Sequence, residues 1–239
     1  MTSKEPGKTT SRIDIAHTAL RRAILEQALE PGTKLPEDTI GSGFDMSRTL
    51  AREVLAKLQV DGLVDIKRGR SARVARPSLS EAMDIFHLRR TLEGEVVRLI
   101  IERWSRDMAS ELNAHIHEEE IAAKAGKGHV SIRLAGEFHI KLSEMAGSPL
   151  LAKFVNETVN RCSLILSLYG RPHSPECAVS EHRALFDAFE TGNLGAAISL
   201  MDKHIGSVEE RAMISEDADE KPDLLDVIGL YSDEENTAA

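Results

Sequence analysis

The stretch that decides the fold begins at Ser47 and reads SRTLAREVLAKLQVDGLV as far as Val64. Ser47 is a favourable N-cap, because its hydroxyl can accept a hydrogen bond from a backbone N–H of the first helical turn. The apolar residues that follow recur at helical spacing and form one inward stripe, namely Ala51, Val54, Leu55 and Leu58. Gly62 ends the pattern. The stretch therefore predicts an amphipathic helix that runs to about Asp61.

Two further helices are predicted upstream. Residues 12–29 place apolar side chains near helical spacing and run into the breaker Glu30-Pro31-Gly32. A shorter helix is predicted over about residues 37–44, followed by a turn that contains Gly43 and Asp45. This order of three helices is that of a helix-turn-helix, in which the last helix would enter the major groove of DNA.

A β-hairpin is predicted after the third helix. The segments 63–66 and 72–75 alternate apolar and polar residues, and Arg68-Gly69-Arg70 supplies the turn between them. Pro77 closes this unit. Three helices followed by a hairpin make a winged helix-turn-helix, whose hairpin would lie against the DNA backbone or in the minor groove.

Basic side chains mark a DNA-reading face on the third helix and the hairpin. Arg48 and Arg52 lie one turn apart opposite the apolar stripe, and Thr49 shares that polar side. An arginine fork fits guanine or a phosphate, and Gly69 would let the backbone approach phosphate closely. The hairpin carries five basic residues: Lys67, Arg68, Arg70, Arg73 and Arg76. Ordinary solvated arginines remain the alternative for any single residue, but the group favours DNA.

The rest of the chain is predicted to be helical, so the fold class is mostly α: a winged helix-turn-helix followed by an all-helical bundle. Ser78 and Glu81 have the spacing of a capping box, and Ser148 and Ser174 each precede a proline that would open a helix. Helices are predicted over about residues 78–104, from 105 or 107 to 126, and over 129–145, 148–169, 174–191 and 193–214. Three regions follow: a DNA-binding domain (1–77), a helical domain (78–214) and an acidic tail predicted to be disordered (215–239).

The charge distribution supports two units with different partners. The net charge of the chain is −9, but residues 1–77 hold 14 basic and 10 acidic side chains, whereas residues 78–239 hold 16 and 29. The sequence has no apolar run long enough for a membrane span and no secretory signal at its start. Its two cysteines, Cys162 and Cys177, fit a reducing compartment. We therefore expect a cytoplasmic protein without a membrane partner.

The N-terminal motifs resemble those of the GntR family of transcription regulators. The resemblance lies in PGTKLPE at residues 31–37, in the stretch from Ser47 to Val64, and in Arg68-Gly69 of the hairpin. It implies operator contacts by Arg48, Thr49, Arg52, Arg68 and Gly69, and the neighbouring Arg70 is added from the charge pattern. Asp45 replaces the glycine that is usual at the turn, and Asp38 replaces an arginine that contacts DNA in some members.

Three histidines form a candidate metal site in the helical region. His139, His182 and His204 each lie in the middle of a different predicted helix, among apolar neighbours. Three imidazoles from packed helices can bind zinc or another divalent ion and leave positions open for a ligand. Helical histidines that only cap or hydrogen-bond are the alternative.

The helical region resembles the FCD effector domain of the FadR-like GntR subfamily over about residues 80–212. The resemblance lies in Arg89-x-x-Leu92-Glu93, Phe138-His139, Glu181-His182 and the final His204. It implies that the three histidines hold a divalent metal, such as zinc, nickel or manganese, beneath a carboxylate-bearing effector. Metal-containing members add an aspartate one turn before the first histidine, and here that position is Ala135.

Two arginines are candidates for binding an anionic effector. A guanidinium group pairs with a carboxylate through two hydrogen bonds, and Arg89 and Arg161 both lie among apolar helical residues. A salt bridge to a neighbouring helix is the alternative for each. We expect His115 and His117, two residues apart on one helix, to face solvent.

These patterns favour a ligand-responsive transcription regulator, in the first instance a repressor. A homodimer would place two recognition helices on a palindromic operator about one turn of DNA apart, and a small-molecule effector would control its affinity. The alternative is a three-histidine, metal-dependent hydrolase with a DNA-binding appendage. The sequence shows no general base paired with the histidines and no nucleophile motif, so we expect no enzyme activity.

Overall fold

The N-terminal unit is a winged helix-turn-helix. The structure, a computed structural model, describes residues 11–170, 175–212, 224–225 and 228–229. The N-terminal helices are α1 (Arg12–Leu25), α2 (Glu37–Gly43) and α3 (Arg48–Val60), and the strands are β1 (Lys34–Leu35), β2 (Val64–Asp65) and β3 (Ala72–Val74). The order in the sheet is β1-β3-β2, with both pairs antiparallel.

The third helix agrees with the prediction. The Ser47 side chain accepts a hydrogen bond from the backbone N–H of Leu50 at 3.3 Å, and the predicted apolar stripe is buried. Because these apolar residues cover one face only, the opposite face of α3 is exposed to solvent.

The first helix ends four residues earlier than predicted. The backbone turns at Gln27, which takes a left-handed φ of 64°, and the N–H of Leu29 donates to the carbonyl of Ala23. A left-handed residue after a helix is usually glycine, so this end of the helix could not be predicted from its residues. Glu26 and Leu29 are nevertheless buried.

The hairpin is part of a three-stranded sheet rather than a two-stranded one. Val64 pairs with Val74 as the alternation predicts, and β1 adds to the other edge of β3, with Leu35 opposite Ala72. A strand of two residues is too short to show a period in the sequence. It closes the core of the unit, because Leu35 is fully buried.

Within the described residues, six helices form the second unit. They are α4 (Leu79–Arg103), α5 (Arg106–Lys124), α6 (Gly128–Met145), α7 (Pro149–Tyr169), α8 (Pro175–Glu190) and α9 (Leu194–Arg211). Ser78 and Ser105 cap α4 and α5 through their side chains. Ser148 precedes α7 but makes no capping hydrogen bond, and Pro149 begins the helix with its fixed φ instead. Ser174 lies outside the described residues.

The two units share an interface that buries polar and apolar groups. The Asn160 amide on α7 donates to the carbonyl of Asp61 at 3.0 Å, and Arg133 on α6 donates to Glu26 at 2.8 Å. Leu164 of α7 is buried within the hydrophobic core of the N-terminal unit. The predicted boundary between residues 77 and 78 stays a prediction.

A short C-terminal segment returns to the N-terminal unit. Ile228 is buried in the N-terminal core, and Leu224 packs against that core. The rest of the predicted acidic tail lies outside the described residues. No helix in the described part of the chain is both long and apolar enough to cross a membrane.

Candidate DNA interface and metal centre

The recognition helix α3 presents its basic residues to solvent, where α2 carboxylates pair with them. The side chains of Arg48 and Arg52 are 70% and 67% exposed. Arg48 forms an ion pair with Asp38, and Arg52 donates to Glu37 at 2.8 and 2.9 Å. Hydrogen bonds from Arg52 lower the pKa of Glu37. Any nucleic-acid contact by these arginines therefore competes with carboxylates of the same unit.

The tip of the wing has no such competition in the described residues. Arg68, Gly69 and Arg70 are exposed, and no ion pair of either arginine is found within this part of the structure. Gly69 takes a φ of 74°, which favours glycine. Arg73 instead donates to the carbonyl of Gly32 at 2.9 Å, so its side chain braces the sheet.

The structure brings the three candidate histidines together. His139 on α6, His182 on α8 and His204 on α9 are buried, and one ligand nitrogen from each lies within 4.8 Å of the others. The Nε2 atoms of His139 and His204 are 3.1 Å apart. Residues of three helices, which span 65 positions in sequence from His139 to His204, thus converge on one point.

Each histidine has a carboxylate beside its Nδ1 atom. Glu93 Oε2 lies 2.5 Å from Nδ1 of His139, Glu119 Oε2 lies 2.8 Å from that of His182, and Glu181 Oε2 lies 2.6 Å from that of His204. A carboxylate at Nδ1 fixes the ring orientation and the tautomer, and leaves the Nε2 lone pair available.

Burial favours the neutral, metal-binding form of two of the histidines. Burial lowers the pKa of His139 to about 4, against the opposing effect of Glu93, and burial lowers the pKa of His204 as well. Burial raises the pKa of Glu93 and Glu119, but their basic neighbours outweigh it and lower both pKa values to about 2. Neutral imidazoles with ionised supporting carboxylates are the forms that bind metal.

One buried nitrogen atom without a hydrogen-bond partner shows whether a metal ion would fit this site. Nε2 of His182 is buried and has no hydrogen-bond partner among the described residues, although an unpaired buried polar atom is costly. A divalent ion would satisfy it together with the other two Nε2 atoms, so the three residues fit such an ion. Ala135 offers no fourth ligand, and Glu137 pairs with Arg133 and Arg21 instead.

A cavity of about 420 Å³ opens beside the histidines. Its lining includes His139, His204, Ala135 and Gly136. Arg89 also lines it: the guanidinium donates to Glu93 at 2.6 Å and to Cys162 Sγ at 3.2 Å, while its Nη2 is buried without a partner. The cavity thus combines two of the three candidate metal ligands with one unused cationic donor.

Two predicted positions differ in the structure. Arg161 lies outside the cavity lining and pairs with Glu81 at 2.5 Å, because its face of α7 meets the start of α4. The prediction that His115 faces solvent is wrong: α5 packs this face on α6, and Nε2 of His115 lies 2.9 Å from the Leu134 carbonyl oxygen. His117 is exposed, as expected.

Most of the cavity lining was not marked by the sequence, and two of these unmarked residues bear on the chemistry of the site. Arg211, at the end of α9, lines it, and no ion pair of its side chain is found within the described residues. Burial raises the pKa of Glu181, and the charge of Arg211 opposes this rise. Gln27 also lines the cavity, although it belongs to the N-terminal unit. No motif marks either residue, since only the packing of the units brings them to the site.

A winged helix-turn-helix with an exposed basic face, joined to a helical unit that encloses a cavity, defines a class: DNA-binding transcription regulators rather than enzymes. The comparisons make this specific. The chain belongs to the GntR family: the bacterial regulatory proteins, gntR family model matches residues 14–74, and the FCD domain model matches residues 84–207, more than half of the chain.

Known proteins agree with this assignment. The transcriptional repressor RspR of Escherichia coli (strain K12) is 25% identical over 194 residues, covering 80% of this chain and 84% of RspR. The repressor NanR of Cronobacter sakazakii is 27% identical over 224 residues, covering 82% and 83%. The solved structure of E. coli McbR/YncC has a TM-score of 0.72 at 19% identity and covers 82% of this chain and 94% of McbR. This last likeness concerns the fold alone.

Proposed function

We propose that this regulator is a homodimeric, cytoplasmic repressor, and that a small carboxylate-bearing effector controls its affinity for a palindromic operator. The observation that carries the proposal is the cavity, which is lined by His139 and His204 of the three-histidine cluster and by Arg89, whose Nη2 atom has no partner among the described residues. Relatives named as repressors, RspR and NanR, support the sign of regulation.

In this proposal, the operator contacts are Arg48, Thr49 and Arg52 on α3, and Arg68, Gly69 and Arg70 at the wing. Exposure of all six supports the assignment. The two arginines of α3 would exchange Asp38 and Glu37 for guanine or phosphate. Exposed ion pairs contribute little to stability, so this exchange costs little.

The metal would be held by His139, His182 and His204, and imidazole ligands suit zinc and nickel, with manganese a further candidate. When bound, the metal supplies a Lewis-acidic centre with open positions that can take carboxylate oxygens. Arg89 Nη2 would orient an effector carboxylate at the same place, and Arg211 adds a second cationic group to the lining.

The cavity wall also suggests how binding of an effector would change the affinity of the protein for DNA. Gln27 is in that wall, and its neighbour Glu26 pairs with Arg133 of α6, the helix that carries His139. An effector that contacts both α6 and Gln27 would prefer one placement of α1, and hence of α3, over another. Repositioning the DNA-reading helices requires a difference of a few kcal/mol between the two placements.

The test is the metal content of protein purified without a chelator or a histidine tag. We expect about one divalent ion per chain, as three imidazole ligands imply, and loss of this ion in His182→Ala. His117→Ala, which alters an exposed histidine outside the cluster, is the matched control. Full metal content in His182→Ala, or none in the wild type, would refute the metal centre and would leave the DNA-binding assignment unchanged.

The effector part is tested separately by thermal unfolding with and without citrate as the probe. We expect citrate to raise the melting temperature of the wild type, because ligand binding to the native state stabilises it. The rise should be smaller in Arg89→Lys, since lysine cannot donate from the same fork. An equal rise in both proteins would argue against a role of Arg89 in carboxylate binding.

A further inference from the structure

The ring of His182 is held on one face and at one edge. The ring of Phe138 stacks on it, with the two centroids 3.9 Å apart and the two planes at 8°. Stacking alone allows two orientations of an imidazole ring that differ by a half-turn, which exchanges the positions of its nitrogen and carbon atoms. The hydrogen bond of 2.8 Å between Nδ1 and Oε2 of Glu119 selects one of them. Glu119 therefore decides where Nε2 of His182 points.

Glu119 can orient His182 only if its own carboxylate is fixed. The side chain is 1% exposed, and its second oxygen, Oε1, makes no hydrogen bond of good geometry within the described part of the chain. Nε2 of His115, one turn earlier on α5, lies 3.3 Å from this oxygen. Because a buried anion without a neighbouring donor is costly, the His115 ring stabilises this end of the carboxylate.

His115 is fixed in turn by the backbone of α6. Its Nε2 atom lies 2.9 Å from the carbonyl oxygen of Leu134 as well as near Glu119. Both neighbours are acceptors, so Nε2 carries a proton and acts as the donor. Burial lowers the pKa of His115, but the contacts with Glu119 and Leu134 outweigh burial and raise it. A continuous series of contacts thus runs from α6 through His115 and Glu119 to His182.

We propose that His115 is a positioning residue of the candidate metal centre, which holds the Glu119 carboxylate and thereby fixes the direction of the His182 Nε2 atom. The inference rests on the proposed metal centre, in which His182 is one of three ligands. This Nε2 atom is the buried nitrogen that lacks a partner in the described residues, so its direction decides whether three nitrogens meet at one ion. Groups behind the ligands of a metal site commonly orient those ligands and affect metal affinity.

The experiment compares two substitutions of His115 in the full chain. His115→Leu removes the donor and keeps a side chain of similar size, whereas His115→Gln keeps an N–H donor at a similar reach. Thr158→Val is the control, because Thr158 is buried on α7 and donates to the carbonyl oxygens of Phe154 and Val155 in its own helix. Competition with a chromophoric chelator measures zinc affinity, and thermal unfolding of the metal-free proteins measures stability.

We expect zinc affinity to fall about 10-fold in His115→Leu, the lower end of the range for groups behind the ligands. His115→Gln should recover most of this loss, and Thr158→Val should bind zinc like the wild type. A loss of packing alone would weaken zinc binding equally in both His115 variants. That outcome, or unchanged affinity in His115→Leu, would overturn the proposal.

Nitrogen NMR of the imidazole rings in the metal-free protein provides the second measurement. We expect a single form of His182 in the wild type, with the proton on Nδ1 beside Glu119, and a mixture of forms in His115→Leu. Absence of zinc binding by the wild type would refute the proposed metal centre. An unchanged His182 spectrum in His115→Leu would refute the role of His115 whether or not zinc binds, so the two failures are distinguishable.

Discussion

In the N-terminal unit the side chains proposed to contact DNA are exposed and held by surface ion pairs, such as Arg52 with Glu37. In the helical unit the side chains proposed to bind a metal and an effector are buried, and each histidine lies against a carboxylate. Surface pairs rearrange at little cost, whereas a buried pair that loses one partner leaves an uncompensated charge. The first arrangement suits a surface that must exchange partners, and the second suits a site that must be formed before its ligand arrives.

The largest expected effect tests the buried arrangement. Glu93→Ala removes the partner of the buried Arg89 and should lower the free energy of unfolding by about 3–5 kcal/mol. Urea denaturation measures it. Glu95→Ala, two positions further along α4 on its exposed side and paired with the half-exposed Arg98, is the control and should leave the midpoint unchanged. Equal midpoints for the two variants would remove the distinction between the units.

The second prediction tests the exposed arrangement. Arg52→Ala should weaken operator binding roughly 5- to 150-fold, the range for a lost base contact, and should leave the urea midpoint unchanged. Glu53→Ala, exposed on the same helix, is the control. The operator would first be selected from a random duplex library. A lower midpoint with unchanged DNA affinity would show that Arg52 supports the fold rather than the DNA complex.

The third prediction concerns the carboxylates beside the histidines. Glu181→Gln keeps the size of the side chain but weakens its hydrogen bond with His204, so zinc affinity should fall about 10- to 100-fold. Competition with a chromophoric chelator measures the affinity. Glu210→Gln, exposed on α9, should bind zinc like the wild type. Equal affinities for all three proteins would mean that Glu181 does not tune the site.

The smallest expected effect lies where the two units meet. Gln27→Gly removes the strain of a left-handed non-glycine residue and should raise the free energy of unfolding by up to about 1 kcal/mol. Gln27→Asn keeps an amide and tolerates this conformation, so it is the matched control. Destabilisation by glycine would show that contacts of the Gln27 side chain outweigh the backbone strain.

The sequence predicted the N-terminal unit well because its signals are local. Ser47, the apolar stripe of α3 and the glycine of the wing each act within a few residues. Local signals did not predict two features of this unit. Gln27 takes a left-handed backbone conformation that is usually reserved for glycine, and strand β1 is only two residues long.

In the helical unit, by contrast, the site depends on contacts between residues that are distant in sequence, so only part of it could be predicted. The histidines could be selected from the sequence because each lies among apolar neighbours, and the resemblance to FCD domains added to this. Their carboxylate partners could not be selected, because Glu119 lies 63 positions from His182 in sequence. The surroundings of Arg161 and His115 could not be predicted either, since a single helix does not reveal which of its faces a neighbour covers.

The position of Leu164 also bears on how the chain unfolds. This α7 residue is buried in the hydrophobic core of the N-terminal unit. Burying a leucine contributes about 1.5–3 kcal/mol, so a fragment that ends at Pro77 would lose that contribution and expose part of its core. The two units, although they bind different partners, are therefore coupled in folding, and the intact chain should melt with more cooperativity than two independent domains would.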